Sequence, residues 1–241
     1  MRLTFLLTFC IGVFSLFAAP SFIFGNSNIN FLNYPAGTER KQAFITYLKP
    51  MIDEKNQALL NDRKKLIRLS QKSKLNIRER RWLKHLSDHY ETTFDINNPV
   101  YWSTLLDKID SIPTSLALAQ GAKESGWGTS RFAREGNNYF GQWCYQKGCG
   151  LVPKQRNSNA RHEVAKYKSS QESVVTYINN LNNNPVYKHL RDIRKQLRTE
   201  KQKITGFQLA RGLLHYSERG QPYVKEIQAL IRNNALDANN N

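Results

Sequence analysis

The sequence predicts a mainly α-helical fold with one small β-hairpin set between helices, preceded by a basic helical extension. Apolar residues recur three and four positions apart through most of the chain. Helix-starting residues (Asn76, Pro113, Pro185, Thr205 and Pro222) stand ahead of several of these stretches. A strand pattern is confined to residues 162–167, HEVAKY, with Val164 as its apolar member. At 241 residues the chain suffices for one substantial domain and a smaller extension. The expected divisions are a leader at 1–27, the basic helical extension at 28–95 and the main domain at 96–241.

Arg2 and the largely apolar residues 3–24 read as a secretory signal. Gly25, Asn26 and Ser27 offer small residues for cleavage. An uncleaved membrane anchor is the rival reading, although Pro20 interrupts the run. Cys10 follows Phe9, which argues against lipid attachment. Residues 25–38, rich in Asn and Gly, read as an exposed lead-in.

Export agrees with the remaining cysteines. Cys144 and Cys149 flank a short loop, and an oxidising compartment lets them pair. A zinc site would need two further ligands, and only His162 is close in sequence. The net charge of +17 suits an anionic partner, either nucleic acid or a cell envelope. An exported protein meets the envelope first, so nucleic acid is not expected. Membrane contact is expected only through the leader.

Residues 39–91 read as helical, with Phe44, Leu48, Ile52, Leu59, Leu66 and Leu69 at helical spacing and Pro50 at a bend. Within them, 76–90 form a separate amphipathic helix with Asn76 as cap and Ile77, Trp82, Leu83 and Leu86 inward. This region holds 14 Lys and Arg against 7 Asp and Glu, which gives a solvated basic face. His85 and His89 lie one turn apart, but no Glu follows His85 as in HExxH, so both read as surface residues. Residues 101–109 resume a helix, with Trp102, Leu105 and Leu106 on one face.

Residues 112–141, IPTSLALAQGAKESGWGTSRFAREGNNYFG, carry the chemistry. Pro113 suits a first helical turn, and Leu116, Ala117, Ala119 and Ala122 make a helix that neighbours can approach closely. Gly126 ends it, which places Glu124 in the last turn. The negative end of the helix, together with burial beside Trp127, raises the pKa of a carboxyl there. A carboxyl that stays protonated near neutral pH is what glycosidic cleavage requires, because the leaving oxygen must receive a proton. A short helix at 130–134, capped by Thr129, and a turn at 137–141 follow. Further helices are expected at 171–181, from Pro185, at 205–214 and at 222–236; the Asn run 182–184 reads as a linker.

On these residues the chain resembles the glucosaminidase family of glycoside hydrolases (family 73), which cleave bacterial cell-wall peptidoglycan. The matching pieces are A-x-E-S-G-W-G-T-S from Ala122 and N-N-Y-F-G from Asn137. Tyr34-Pro35, Gly37-Thr38 and the stretch SSQESVVTYINNLNNNPVY extend the likeness over most of the chain after the leader. The resemblance implies a lysozyme-like α+β catalytic domain, peptidoglycan glycan strands as partner, and Glu124 as general acid.

Hydrolysis also needs a second group to stabilise the oxocarbenium-like state and deliver water. Many relatives carry a second Glu in a T-x-E stretch of the β-lobe. The corresponding region here, Lys154-Gln155-Arg156, has no carboxylate. Two routes stay open. Glu163 is the nearest candidate base, and otherwise the substrate's own 2-acetamido oxygen attacks the anomeric carbon. Tyr216 and Tyr223, in HYSERGQPY, are the hydroxyls expected to orient that group, Tyr216 first. Trp127, Tyr139 and Trp143 offer flat faces for sugar rings, and Asn138 a hydrogen bond for an N-acetyl group. With no GxxxxGK and no paired CxxC, no metal or other cofactor is expected. The expected protein is an exported endo-β-N-acetylglucosaminidase of the periplasm or cell envelope. A non-catalytic wall-binding module and a muramidase or lytic transglycosylase are the alternatives.

Overall fold

The computed structural model describes residues 29–154 and 161–239. The leader, its cleavage point and residues 155–160 lie outside the described residues. The body is mainly helical with a small antiparallel sheet.

Helix α1 (Thr38–Ser70) buries Phe44, Leu48, Ile52, Leu59, Leu66 and Leu69 as one stripe. It runs through Pro50 as one helix, although Pro50 cannot donate to the carbonyl a turn earlier. Helix α2 (Ile77–His89) opens with a capping box: Asn76 accepts from the Glu79 N–H, and the Glu79 carboxylate accepts from the Asn76 N–H. Leu83 and Leu86 face inward. Ile77 was expected to do so but is 71% exposed, because the first helical position precedes the buried stripe. Helix α3 (Pro99–Lys108) starts on Pro99 with Asn98 as cap.

The central helix is α4 (Thr114–Ser125), buried on nearly every side. Its small residues admit close neighbours: a Cβ on Gly121 would meet the Phe140 ring at 3.3 Å and the Phe44 ring at 3.4 Å. Helix α1 packs directly on α4, and both belong to one hydrophobic core. The lead-in, expected to be exposed, joins that core from Phe31 onward. Phe31 is 0% exposed and fills the space beside Gly128, where a Cβ would come within 2.1 Å of its ring. Buried residues from Phe31 to Tyr90 therefore share one hydrophobic core with α4.

The turn between α3 and α4 is held by charge. Asp110 is buried, receives two hydrogen bonds from Arg198, and lies 3.5 Å from Arg63. Burial alone would raise its carboxyl, but Arg198, Arg194 and Arg63 hold it below the usual range. Arg194 of α7 (Lys188–Thr199) is itself buried. It donates to the carbonyls of Asp107 at 2.7 Å and Ser111 at 3.0 Å, so the charges are hydrogen-bonded as well as paired.

Helix α5 (Arg131–Gly136) is capped by Ser130 rather than Thr129 and runs two residues beyond the expected end. Strands β1 (Trp143–Cys144), β2 (Gly150–Leu151) and β3 (Glu163–Ala165) form a sheet in the order β1-β3-β2, with Val164 opposite both Trp143 and Leu151. A three-stranded sheet thus replaces the expected hairpin: β3 pairs on both edges, and its three residues are all buried. The disulfide Cys144–Cys149 closes the loop between β1 and β2.

Helix α6 (Ser170–Asn183) takes Ser169 as cap and absorbs most of the Asn run expected as a linker. The expected 205–214 helix is α8 (Gly206–Leu209) followed by a 3-10 turn, Ala210–Leu213. There Gly212 meets the Leu190 backbone so closely that a Cβ would lie 2.3 Å from its Cα. Helix α9 (Gln221–Asn233) packs on α4 and closes the core. Among the described residues no helix is long and apolar enough to cross a membrane.

Candidate active site

Helix α4 ends where Gly126 turns left-handed, at φ 57°, and returns its N–H to the Ala122 carbonyl. That fixes Glu124 in the final turn, half-buried and facing the loop after α5. Its Oε1 accepts a 2.8 Å hydrogen bond from the Tyr223 hydroxyl. Tyr223 accepts in turn from Gln120 Nε2 at 3.1 Å, and Gln120 Oε1 accepts from the buried Tyr177 hydroxyl at 2.6 Å. A phenol already accepting from an amide N–H directs its own hydrogen to the carboxylate. A proton on Glu124 therefore sits on Oε2.

Oε2 faces Gly141. A Cβ there would lie 3.3 Å from that oxygen, and φ of +65° independently favours glycine. Burial pushes the Glu124 carboxyl up, against the opposing pull of the Tyr223 hydrogen bond and the Lys123 charge. The acid thus has a fixed proton-bearing oxygen, and burial favours its neutral form.

Glu124 and Gly141 line a cleft of about 750 Å³. Trp143 stands on its β-sheet side, 55% exposed, with its ring stacked on His162 at 4.0 Å. Tyr216 lines the cleft as well. Its hydroxyl donates to the Phe140 carbonyl at 2.8 Å, and its ring lies parallel to that of Tyr223 at 5.5 Å. Of the faces expected to receive sugar, Trp143 is on the cleft wall; of the two hydroxyls expected to orient the acetamido group, Tyr216 lines the cleft and Tyr223 is buried as the partner of Glu124.

Four expected site residues point elsewhere. Trp127 does not line the cleft: it packs edge-on against Phe44 at 5.6 Å, with Lys41 over its ring. Tyr139 is buried against Phe31 and Phe44. Asn138 is buried too. Its Nδ2 donates to the carbonyls of Gln142 and Ala165, both at 2.9 Å, and its Oδ1 accepts from the N–H groups of Phe140 and Gln142. The NNYFG segment thus acts through its backbone, by carrying Gly141 to Glu124. Glu163 is buried beneath the disulfide loop, where it accepts from the N–H groups of Gly148 at 3.0 Å and Gly150 at 2.8 Å. Its carboxylate braces the sheet and is not on the cleft wall. The two cysteine sulfurs and the Glu163 carboxylate lie within 4.8 Å of one another, but sulfurs bonded to each other are not thiolate ligands.

A second carboxylate on the cleft wall escaped the sequence reading. Glu218 is exposed on the cleft wall in the loop between Tyr216 and α9. The loop is tied down because Arg219 donates to Glu226, which also pairs with Lys123 beside Glu124. The available signal was a carboxylate inside HYSERGQPY, between two tyrosines already under suspicion.

Residues 101–236 match the family model Glucosaminidase, described as mannosyl-glycoprotein endo-beta-N-acetylglucosaminidase. The chain is 35% identical over 202 residues to Protein bax of Escherichia coli (strain K12), covering 83% of this chain and 72% of that protein. No solved structure matches.

Proposed function

The chain belongs to the glucosaminidase family, as a Bax-type member, and on that premise we propose that it is an exported endo-β-N-acetylglucosaminidase of peptidoglycan. Its helical body with a small three-stranded sheet is consistent with a lysozyme-like fold. A glycan-cleaving reaction on a cell-wall substrate accords with the family. The bond cut, the export and the roles below are our reading.

Glu124 Oε2 gives its proton to the glycosidic oxygen as the bond from that oxygen to the anomeric carbon breaks. Water attacks the same carbon from the opposite face and loses its proton to Glu218, so the β-linked sugar is released as the α-anomer. The observation that carries this reading is the fixed orientation of Glu124, with Oε1 occupied by Tyr223 and Oε2 turned to the cleft. Glu218 receives the second role because it lines that cleft, whereas Glu163 is held by the Gly148 and Gly150 amides. Export through the N-terminal leader accords with the Cys144–Cys149 disulfide, which persists in an oxidising compartment.

Purified protein and its Glu124→Gln variant should be incubated with peptidoglycan sacculi. The reading expects soluble fragments with reducing N-acetylglucosamine from the wild type, and activity lower by a factor of about 100 or more in the variant. Reducing muramic acid or an anhydro sugar would reject the bond assignment. Sacculus binding without release would reject the enzyme. NMR of the first-formed anomer decides the second group: α supports Glu218, and β supports attack by the substrate acetamido group.

A further inference from the structure

We propose that a second groove, continuous with the Glu124 cleft and running along α6 to the end of α2, binds a further stretch of the N-acetylated glycan strand through the carboxamides of Asn179 and Asn183. This rests on the glycan-cleaving reading of the cleft. The groove encloses about 380 Å³ between His89 and Glu91 on one side and Asn179 and Asn183 on the other. Thr176, Asn180 and Asn184 line both it and the cleft, so a chain leaving one enters the other. From Thr176 to Asn183 the helix covers about 10 Å of that path.

Asn is a poor helix former, yet five of the six residues 179–184 are Asn. Asn182 is absorbed by the fold: it donates to the Asp110 carbonyl at 2.8 Å. Asn179 is not. Its Oδ1 is buried and, among the described residues, has no hydrogen-bond partner, in a residue that lines the groove. A buried acceptor without a donor costs about 1–3 kcal/mol, so its retention points to a donor that arrives with a ligand. Asn183 is complementary, because its Oδ1 already accepts from Lys108 Nζ at 2.9 Å and its Nδ2 remains as a donor. An acceptor and a donor four positions apart lie on the same side of α6. An acetamido group supplies both partners, its N–H to Asn179 Oδ1 and its carbonyl to Asn183 Nδ2. A glycan of N-acetylated sugars repeats that group along its length, and continuity with the cleft selects the sugar chain over the stem peptides.

The test uses the full-length Glu124→Gln chain, which should hold sugar without cutting it, and the hexamer and dimer of β-1,4-linked N-acetylglucosamine, with affinities read by calorimetry. Adding Asn179→Ala should weaken the hexamer about 5- to 10-fold, the loss of roughly one hydrogen bond, and leave the dimer within about twofold. Equal weakening of both sugars, or an unchanged hexamer, would overturn the proposal. So would displacement of the hexamer by a stem pentapeptide. Asn179→Leu separates a ligand role from a structural one: removing an unpaired buried acceptor should hold or raise Tm while hexamer affinity falls, and a lower Tm would count against the proposal. These measurements need no turnover. A wild type that leaves sacculi intact while hexamer binding depends on Asn179 would sink the enzyme reading and leave the groove standing.

Discussion

The Tyr223 hydroxyl donates to Glu124 Oε1 at 2.8 Å while accepting from Gln120 Nε2 at 3.1 Å. The three residues come from two helices, α4 and α9, and Tyr177 on α6 sets the direction of the chain by donating to Gln120. A residue nearly a hundred positions away in sequence therefore decides which oxygen of the acid carries the proton. It also opposes the rise in pKa that burial causes, since a donor to the carboxylate favours the charged form.

Tyr223→Phe removes that opposition. The Glu124 pKa should move further up, and the basic limb of the pH–activity profile should move to higher pH by about one unit, the scale of a hydrogen bond to a charged group. The check is kcat against pH for both proteins on solubilised glycan strands. An unmoved limb, or one displaced toward acid, would show that this contact does not govern the acid.

Glu124 should also lower stability at neutral pH. Its folded pKa lies above the unfolded one, so its contribution is fully present below the unfolded pKa, about 4.3, and is lost as pH rises through the folded value. Glu124→Gln removes the buried charge and should raise Tm at pH 7, by about 2–4 °C for a gain of about 1 kcal/mol in a chain of this size. The difference should close below pH 4. Scanning calorimetry at the two pH values measures both ends, and a Tm gain that is the same at pH 4 would contradict the assignment.

Glu163 should behave as a brace. Glu163→Gln weakens its hydrogen bonds from Gly148 and Gly150, so Tm should fall by several degrees, in line with about 1.5–3 kcal/mol for hydrogen bonds to a charged group. Activity should stay within about tenfold of the wild type, with the same product anomer. A loss beyond about 100-fold at unchanged Tm would restore Glu163 as the base.

The sequence by itself determined the helical body, the end of α4 at Gly126 and the position of Glu124, because these depend on spacing within one helix and on one left-handed cap. It could not say which aromatic residues meet the cleft. Trp127 and Trp143 are alike in composition, but a left-handed backbone at Trp127 turns its ring onto α1 while β1 holds Trp143 in the open. Nor could it separate Glu163 from Glu218, both polar residues at the edge of an element: the loop closed by Cys144 and Cys149 supplies backbone donors to Glu163, whereas Glu218 stands exposed on the cleft wall. The Asn run 182–184 looked like a linker because it is short and Asn is a poor helix former. The surroundings of these amides exist only once α6 lies against α1 and α3. Local rules fix which element forms and where it stops, whereas the surroundings of a side chain depend on residues distant in the chain, and those surroundings set its charge and access.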